Sequence, residues 1–187
     1  MSTATVLHFI PLTISTAPDL SKPSLAEIKK SNGSIPNLLA TLANSPVALE
    51  GYRTLEAIWE NGSFAPRERQ LILLAASAEN RCSYCTAAHS TVLKTVLRTP
   101  EELVFAIKHN IPVPDAKFNA VVTLVKELVR GRGYARQETI QNFIAAGYRK
   151  EQVMELLVGI ALKTISNYLD HISPIPVDQA FEAELSK

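Results

Sequence analysis

The sequence predicts an all-α fold, a helical bundle, on three observations. Apolar residues recur at the three- and four-residue spacing of an amphipathic helix through most of the chain. Prolines and small polar residues stand where such runs begin, and Gly or Asn-Gly where they end. Strand signals are absent, so no sheet is expected.

Residues 1–23 read as an extended N-terminal arm, because Val6 to Pro23 is β-branched and punctuated by proline. Leu7, Phe9, Ile10, Leu12 and Ile14 make this arm apolar, so it must lie on something, and a neighbouring subunit is the expected support. Residues 24–187 then form a single helical domain. A short helix is expected from Ser24, as cap, to Lys30, with Asn32-Gly33 stopping it, and another starts at Pro36 through Leu38, Leu39 and Leu42. Pro46, after Ser45, opens an amphipathic helix through Leu49, Leu55, Ile58 and Trp59 that ends at Asn61-Gly62. From Pro66 the residues Leu71 to Ala76 are apolar nearly all round, as in a helix at the middle of a bundle, and this run leads directly into the segment holding both cysteines. The helix continues to Leu97, Thr99-Pro100 restarts the chain, and Glu101 to His109 form a further short helix before Pro112 and Pro114.

The second half repeats the pattern. Asp115 to Val129 is amphipathic and closed by Gly131 and Gly133; Gln137 to Ala146 ends at Gly147; Lys150 to about His171 is long and apolar. Laying Arg149-Lys-Glu-Gln152 over Arg67-Glu-Arg-Gln70 pairs His171 with His89, Asn167 with Cys85 and Thr164 with Cys82. This predicts an internal pseudo-repeat whose two halves pack about a pseudo-twofold axis.

A length of 187 residues with 47% hydrophobic and 20% charged content fits a soluble globular protein with one sizeable core. A net charge of +1 gives no electrostatic case for nucleic acid or a membrane surface. Met1 to Ala17 lacks a basic leading segment and is broken by Pro11, so no export signal is read, and no apolar run is long enough to span a bilayer. Two cysteines arranged as CxxC in such a chain favour a reducing, cytoplasmic setting.

Function is concentrated in Glu79-Asn-Arg-Cys-Ser-Tyr-Cys-Thr-Ala-Ala-His-Ser90, which holds the only two cysteines. Cys82, Cys85 and His89 share one face of a continuous helix. Cysteines at i and i+3 near a helix start reach disulfide distance with little backbone change, which predicts a reversible Cys82–Cys85 disulfide. Unpaired N–H groups at that start, marked by Asn80 and Arg81, lower a thiol pKa, and His89 stands as base one turn beyond Cys85. Two other readings fit the same residues. Cys82, Cys85 and His89 with a fourth ligand such as His171 make a zinc site, although a second two-ligand knuckle is missing; alternatively both cysteines simply pack in the core.

The segment Pro66 to Ser90, with Gly33-Ser-Ile-Pro-Asn37 and Asn44-Ser-Pro46 before it and Ser166-Asn-Tyr-Leu-Asp-His171 after it, resembles the AhpD-like proteins related to carboxymuconolactone decarboxylase. The resemblance spans about Ala17 to Phe181 and implies the AhpD-like all-α bundle. It further implies a thiol-dependent peroxidase, an antioxidant enzyme reducing hydroperoxides, in which Cys85 attacks the peroxide, His89 assists, and Cys82 resolves the sulfenic acid to a disulfide. A dithiol reductant or reductase protein then regenerates the pair, no metal or organic cofactor is implied, and the subunits assemble as trimers or hexamers. Relatives with a non-redox decarboxylase or hydrolase activity do not depend on a cysteine pair, and a redox-responsive structural oligomer is a further alternative. In the family a glutamate commonly stands twelve residues before the first cysteine; here that position is Gln70, which can orient His89 but cannot accept its proton. Glu79 is a possible stand-in, and Tyr84 occupies a position that is histidine in some relays. His171 is expected to be a satisfied buried polar group, with a place in the pocket as the alternative. If the relay runs through residue 70, Gln70→Glu is expected to raise turnover about tenfold.

Overall fold

The computed structural model describes residues 7–185; Val6, where the expected arm begins, lies outside the described residues. Among the described residues the chain is helical with no strand. The helices are α1 (Lys22–Asn32), α2 (Asn37–Leu42), α3 (Pro46–Glu60), α4 (Pro66–Glu79), α5 (Ser83–Thr91), α6 (Glu101–Lys108), α7 (Ala116–Arg130), α8 (Gln137–Ala145) and α9 (Lys150–Ile172). A π-helical turn over Val92–Val96 prolongs α5, and 3-10 turns cover Asp19–Ser21 and Gln179–Glu184.

Local chemistry sets most of these boundaries. Pro46 and Pro66 occupy the first turn of α3 and α4, where a missing N–H costs no hydrogen bond. The Ser45 hydroxyl accepts from Ala48 N–H at 3.3 Å and the Asp115 carboxylate from Phe118 N–H at 2.8 Å, capping α3 and α7. Gly147, at φ 95, closes α8 in the left-handed region. One boundary differs from expectation: α1 starts at Lys22, with Pro23 in its first turn, and Ser24 lies within the helix, its hydroxyl donating to Glu50 instead of capping.

The core forms around α4, whose residues Leu71 to Ser77 are all buried. A helix so enclosed has neighbours on every side, and α4 packs against α5, α6, α7 and α9. Helix α3 lies across α9, where Gly159 lets the Trp59 ring come close: a Cβ there would stand 3.0 Å from the ring. Ahead of the bundle, the arm is tied to its own chain. Leu12 N–H donates to the Ala40 carbonyl at 3.0 Å, Asn44 Nδ2 to the Ile10 carbonyl at 2.9 Å, and Phe9 N–H to Ser173 Oγ at 2.8 Å. Leu12 and Ile14 pack on the core, while Leu7 and Ile10 are exposed.

Helices α4 and α9 share a start: Ala65 N–H donates to Glu68 Oε2 at 3.0 Å, and Arg149 N–H to Gln152 Oε1 at 2.9 Å. In this correspondence Glu68 matches Gln152, two residues out of register from the overlay that pairs Gln70 with Gln152. The two helices part company at their far ends. α4 stops at Glu79, whereas α9 runs unbroken to Ile172. No described helix is long and apolar enough to cross a membrane.

Candidate active site

The break after α4 builds the dithiol. Arg81 N–H bonds to the Ala78 carbonyl and Cys82 N–H to the Ser77 carbonyl, both at 3.0 Å, closing a Schellman turn whose left-handed residue is Arg81 at φ 61. Cys82 then leaves the turn in extended conformation and serves directly as N-cap of α5, its Sγ accepting from Cys85 N–H at 3.3 Å. Asn80 and Arg81 therefore end the preceding helix and do not begin the next one. The start of α5 is marked by Cys82 itself, and Cys85 sits in its first turn among N–H groups that favour negative charge.

Across from the break, the unbroken α9 presents Lys163, Ser166, Asn167 and Asp170 at i, i+3, i+4 and i+7, one buried polar stripe on a single face. Each member meets the α4–α5 unit. Lys163 Nζ lies 2.8 Å from His89 Nε2, Ser166 Oγ 3.6 Å from Cys85 Sγ, Asn167 Oδ1 accepts from Asn80 Nδ2 at 3.0 Å, and Cys82 Sγ lies 3.3 Å from Asp170 Oδ2. The other ring nitrogen of the histidine, His89 Nδ1, is 2.9 Å from Gln70 Oε1.

These contacts assign the histidine its tautomer. A lysine ammonium can only donate, so His89 Nε2 accepts; Nδ1 then carries the proton and donates to the Gln70 amide oxygen. Burial, and next the Lys163 charge, hold His89 well below the usual histidine range, so the ring is neutral at physiological pH. The amide at residue 70, which looks like a loss when read against a glutamate, matches a neutral imidazole. A carboxylate is what an imidazolium would need.

The two thiols are driven apart. Cys85 is lowered to about 6, first by the hydrogen bond from Cys82, then by Lys163, Ser166 and Asn167, against the opposing effect of burial. Cys82 is pushed well above the ordinary thiol range by its hydrogen bond to Cys85, by burial, by the Cys85 charge and by Asp170. The surroundings thus favour ionisation at Cys85 and the protonated form at Cys82. Both sulfurs are free, and both residues are buried. Cys85 opens on a cavity of about 170 Å³ lined also by Leu38, Leu39, Tyr52, Glu56, His89 and Lys163.

Tyr84, between the cysteines, lines the same cavity as Cys85 and forms a clasp. Its hydroxyl donates to Asp178 Oδ2 at 2.5 Å and accepts from Leu38 N–H at 3.2 Å, while Asp178 also accepts from Asn37 N–H at 3.1 Å. The C-terminal segment is thereby held over α5, with Phe181 edge-on to Tyr84 and lining the cavity.

Of the residues singled out from sequence, Cys82, Cys85, His89, Gln70 and Tyr84 come together. Glu79 does not join them: its carboxylate is bound by Arg130 at 2.8 and 3.0 Å. His171 is exposed beside the exposed Tyr168, so it is neither a buried polar group nor a pocket residue. It supplies no fourth ligand to a metal, and His89 has both ring nitrogens engaged. Among the described residues no group of three or more His, Cys, Asp or Glu is disposed to hold a metal ion. Sequence reasoning missed Lys163, Ser166, Asp170 and Asp178. The signal for the first two and for Asp170 was present: polar residues at a three-four-seven spacing in a helix otherwise apolar enough to be buried.

Residues 48–127 match the carboxymuconolactone decarboxylase family. No curated protein matches the sequence. Among solved structures, the fold is similar to that of a peroxidase-related protein with an alkylhydroperoxidase AhpD core from Ralstonia eutropha JMP134, at TM-score 0.81 and 18% identity over 96% of each chain. It is similar to a peroxidase-related protein from Silicibacter sp. TM1040, at 0.79 and 15% over 99% of each chain. It is also similar to the debrominase Bmp8, at 0.77 and 18% over 99% of this chain and 97% of that one; a cysteine-to-alanine variant of Bmp8 is known in complex with 2,3,4-tribromopyrrole.

Proposed function

We propose that the chain, whose residues 48–127 match the carboxymuconolactone decarboxylase family and whose fold is AhpD-like, is a thiol-dependent peroxidase that reduces hydroperoxides through a Cys82–Cys85 dithiol/disulfide cycle. The observation that carries this reading is the geometry of the pair: Cys82 Sγ stands 3.3 Å from the Cys85 backbone nitrogen, and Cys85 lines a small cavity with Lys163 and His89. Cys85 attacks the terminal oxygen of the hydroperoxide; an S–O bond forms, the O–O bond breaks, and the alkoxide leaves as the alcohol after taking a proton. Cys82 then attacks the Cys85 sulfenic acid, an S–S bond forms, the S–O bond breaks, and water leaves. A dithiol reductant restores the pair by two thiol–disulfide exchanges, itself ending as a disulfide. His89 holds Lys163 in place here and is not the base that deprotonates Cys85.

Peroxide turnover with a panel of dithiol donors tests the reading. Wild type is expected to turn over, and Cys85→Ser to fall by about 10³-fold or more, as loss of a nucleophile requires. Absence of turnover with every donor in wild type overturns it.

A second reading is favoured by the similarity to a debrominase: the same thiolate attacks the bromine of an electron-rich bromoarene, an S–Br bond forms, the C–Br bond breaks and the ring carbon takes a proton; Cys82 then attacks the Cys85 sulfur, an S–S bond forms, the S–Br bond breaks and bromide leaves. Bromide release from a bromopyrrole in place of peroxide turnover decides for it. We propose a reducing, cytoplasmic setting, which keeps the cycle supplied with thiols. A homo-oligomer, a trimer or a multiple of it, is proposed on the exposed apolar residues Leu20, Val47 and Ile58, which line one groove. Light scattering at micromolar concentration is expected to report more than one subunit, and a monomer refutes it.

A further inference from the structure

The peroxide-reactive half of the site accounts for Lys163, Ser166 and His89, but not for Asp170. This carboxylate is buried on the last turns of α9 and is not among the residues that line the cavity at Cys85. One oxygen, Oδ1, is fixed by Ile175 N–H at 3.0 Å. The other, Oδ2, has Cys82 Sγ at 3.3 Å. A buried carboxylate aimed at a thiol is costly unless that thiol donates to it, so the arrangement calls for a use.

We propose that Asp170 is the general base of the resolving step, accepting the Cys82 proton when Cys82 attacks Cys85; the proposal rests on the dithiol cycle described above. The Cys82 thiol has a single proton and two acceptors within reach, the Cys85 sulfur and Asp170 Oδ2. While Cys85 is a thiolate, it is the better acceptor, and the proton directed at it stabilises the nucleophile. Once Cys85 has become a neutral sulfenic acid, that acceptor is weak, and the proton turns to the carboxylate. Asp170 takes it, the Cys82 thiolate attacks the Cys85 sulfur, and the displaced hydroxide gains a proton to leave as water, returning the carboxylate to its starting state. Before oxidation the same negative charge adds to the Cys85 hydrogen bond, burial and Cys85 charge, the larger causes that keep Cys82 protonated, so the first attack stays at Cys85 without it.

The test isolates resolution from peroxide chemistry. Reaction with methyl methanethiosulfonate places a methylthio group on the Cys85 sulfur and releases methanesulfinate; attack by Cys82 then forms the disulfide and releases methanethiol. Methanethiol release is followed in wild type, Asp170→Asn and Asp170→Glu by rapid mixing, with quenched samples read by mass spectrometry. Asp170→Asn is expected to label at the wild-type rate and to release methanethiol on the order of 10²-fold more slowly, with the Cys85 adduct accumulating. Asp170→Glu is expected to recover at least part of the rate. The asparagine can still accept from Ile175 N–H and keeps the volume, so a merely structural Asp170 would be better replaced by Asn than by Glu. Wild-type release from Asp170→Asn, or a ranking with Asn above Glu, overturns the proposal. Because no hydroperoxide is used, a failure of the peroxidase reading is seen separately, as absence of turnover by a wild-type protein that still resolves the methylthio adduct.

Discussion

The α4–α5 unit and α9 start alike and end differently, and the difference explains the site. Both are closed at their N-termini by a side chain three residues on. α4 breaks at Asn80 to Cys82, and the break creates a second helix start deep in the protein, where Cys85 N–H bonds to the Cys82 sulfur. α9 does not break, so its polar residues stay in register along a stripe. A broken helix supplies the dithiol, and an intact one supplies polar groups spaced to meet it. Neither element would serve in the other's place.

Replacing Lys163 breaks this division from the α9 side and is expected to have the largest effect. In Lys163→Met the charge is removed with the length kept, so the Cys85 inflection, lowered to about 6 in wild type, rises by about one unit or more, and reactivity near pH 6 to 7 falls roughly tenfold. Alkylation rate against pH is the measurement. In wild type the rate rises as pH increases through about 6 and then levels, because the thiolate is the reactive form and the folded thiol ionises below the ordinary range. His89, neutral across that window, adds no second inflection.

Gln70→Glu acts from the α4 side, and the contact with Lys163 reverses the gain expected from sequence. A carboxylate at residue 70 adds negative charge beside His89 without a proton to manage, so the Cys85 inflection moves up slightly and the rate near pH 6 falls about two- to threefold. A severalfold rise in peroxide-driven sulfenic acid formation would show that His89 works as a base after all. The smallest effect belongs to the break itself. Arg81 holds a left-handed φ of 61, so Arg81→Gly is expected to leave the dithiol intact and to raise stability by about 0.5 to 1 kcal/mol, read from urea unfolding. Loss of stability there would mean that the arginine side chain, and not the turn, holds the break.

Much of this architecture was legible in the residues. Pro46, Pro66, Asp115, Gly131 and Gly147 mark boundaries because each acts on its own backbone, and local chemistry needs no knowledge of the fold. Gln70 facing His89 was legible for a related reason: the helical register of the segment around the dithiol carried across the short break. Ser24 misled because Ser21 precedes the same proline-led turn and Ser24 found Glu50 instead. The tautomer of His89 was not legible, since it is set by the contact with Lys163, which stands 74 residues away in sequence. His171 was placed wrongly for the converse reason: it directly follows Asp170, about 100° round the helix from the stripe, on a face that is exposed. Long-range partners, and with them protonation states, come from packing that no local pattern records.

Lys163 is 1% exposed, and its ammonium carries a consequence for reduction potential. In the dithiol state the charge faces the Cys85 thiolate; in the proposed disulfide state that anion is gone, leaving the buried ammonium with His89 and the neighbouring Glu56, whose own carboxyl is held up by burial. The lysine therefore stabilises the reduced protein more than the oxidised one, which shifts the couple toward a more positive potential and makes the disulfide a better electron acceptor. Speed of attack on the oxidant and ease of reset by a reductant then come from the same buried charge, and a substitution that slows the first also makes the second harder.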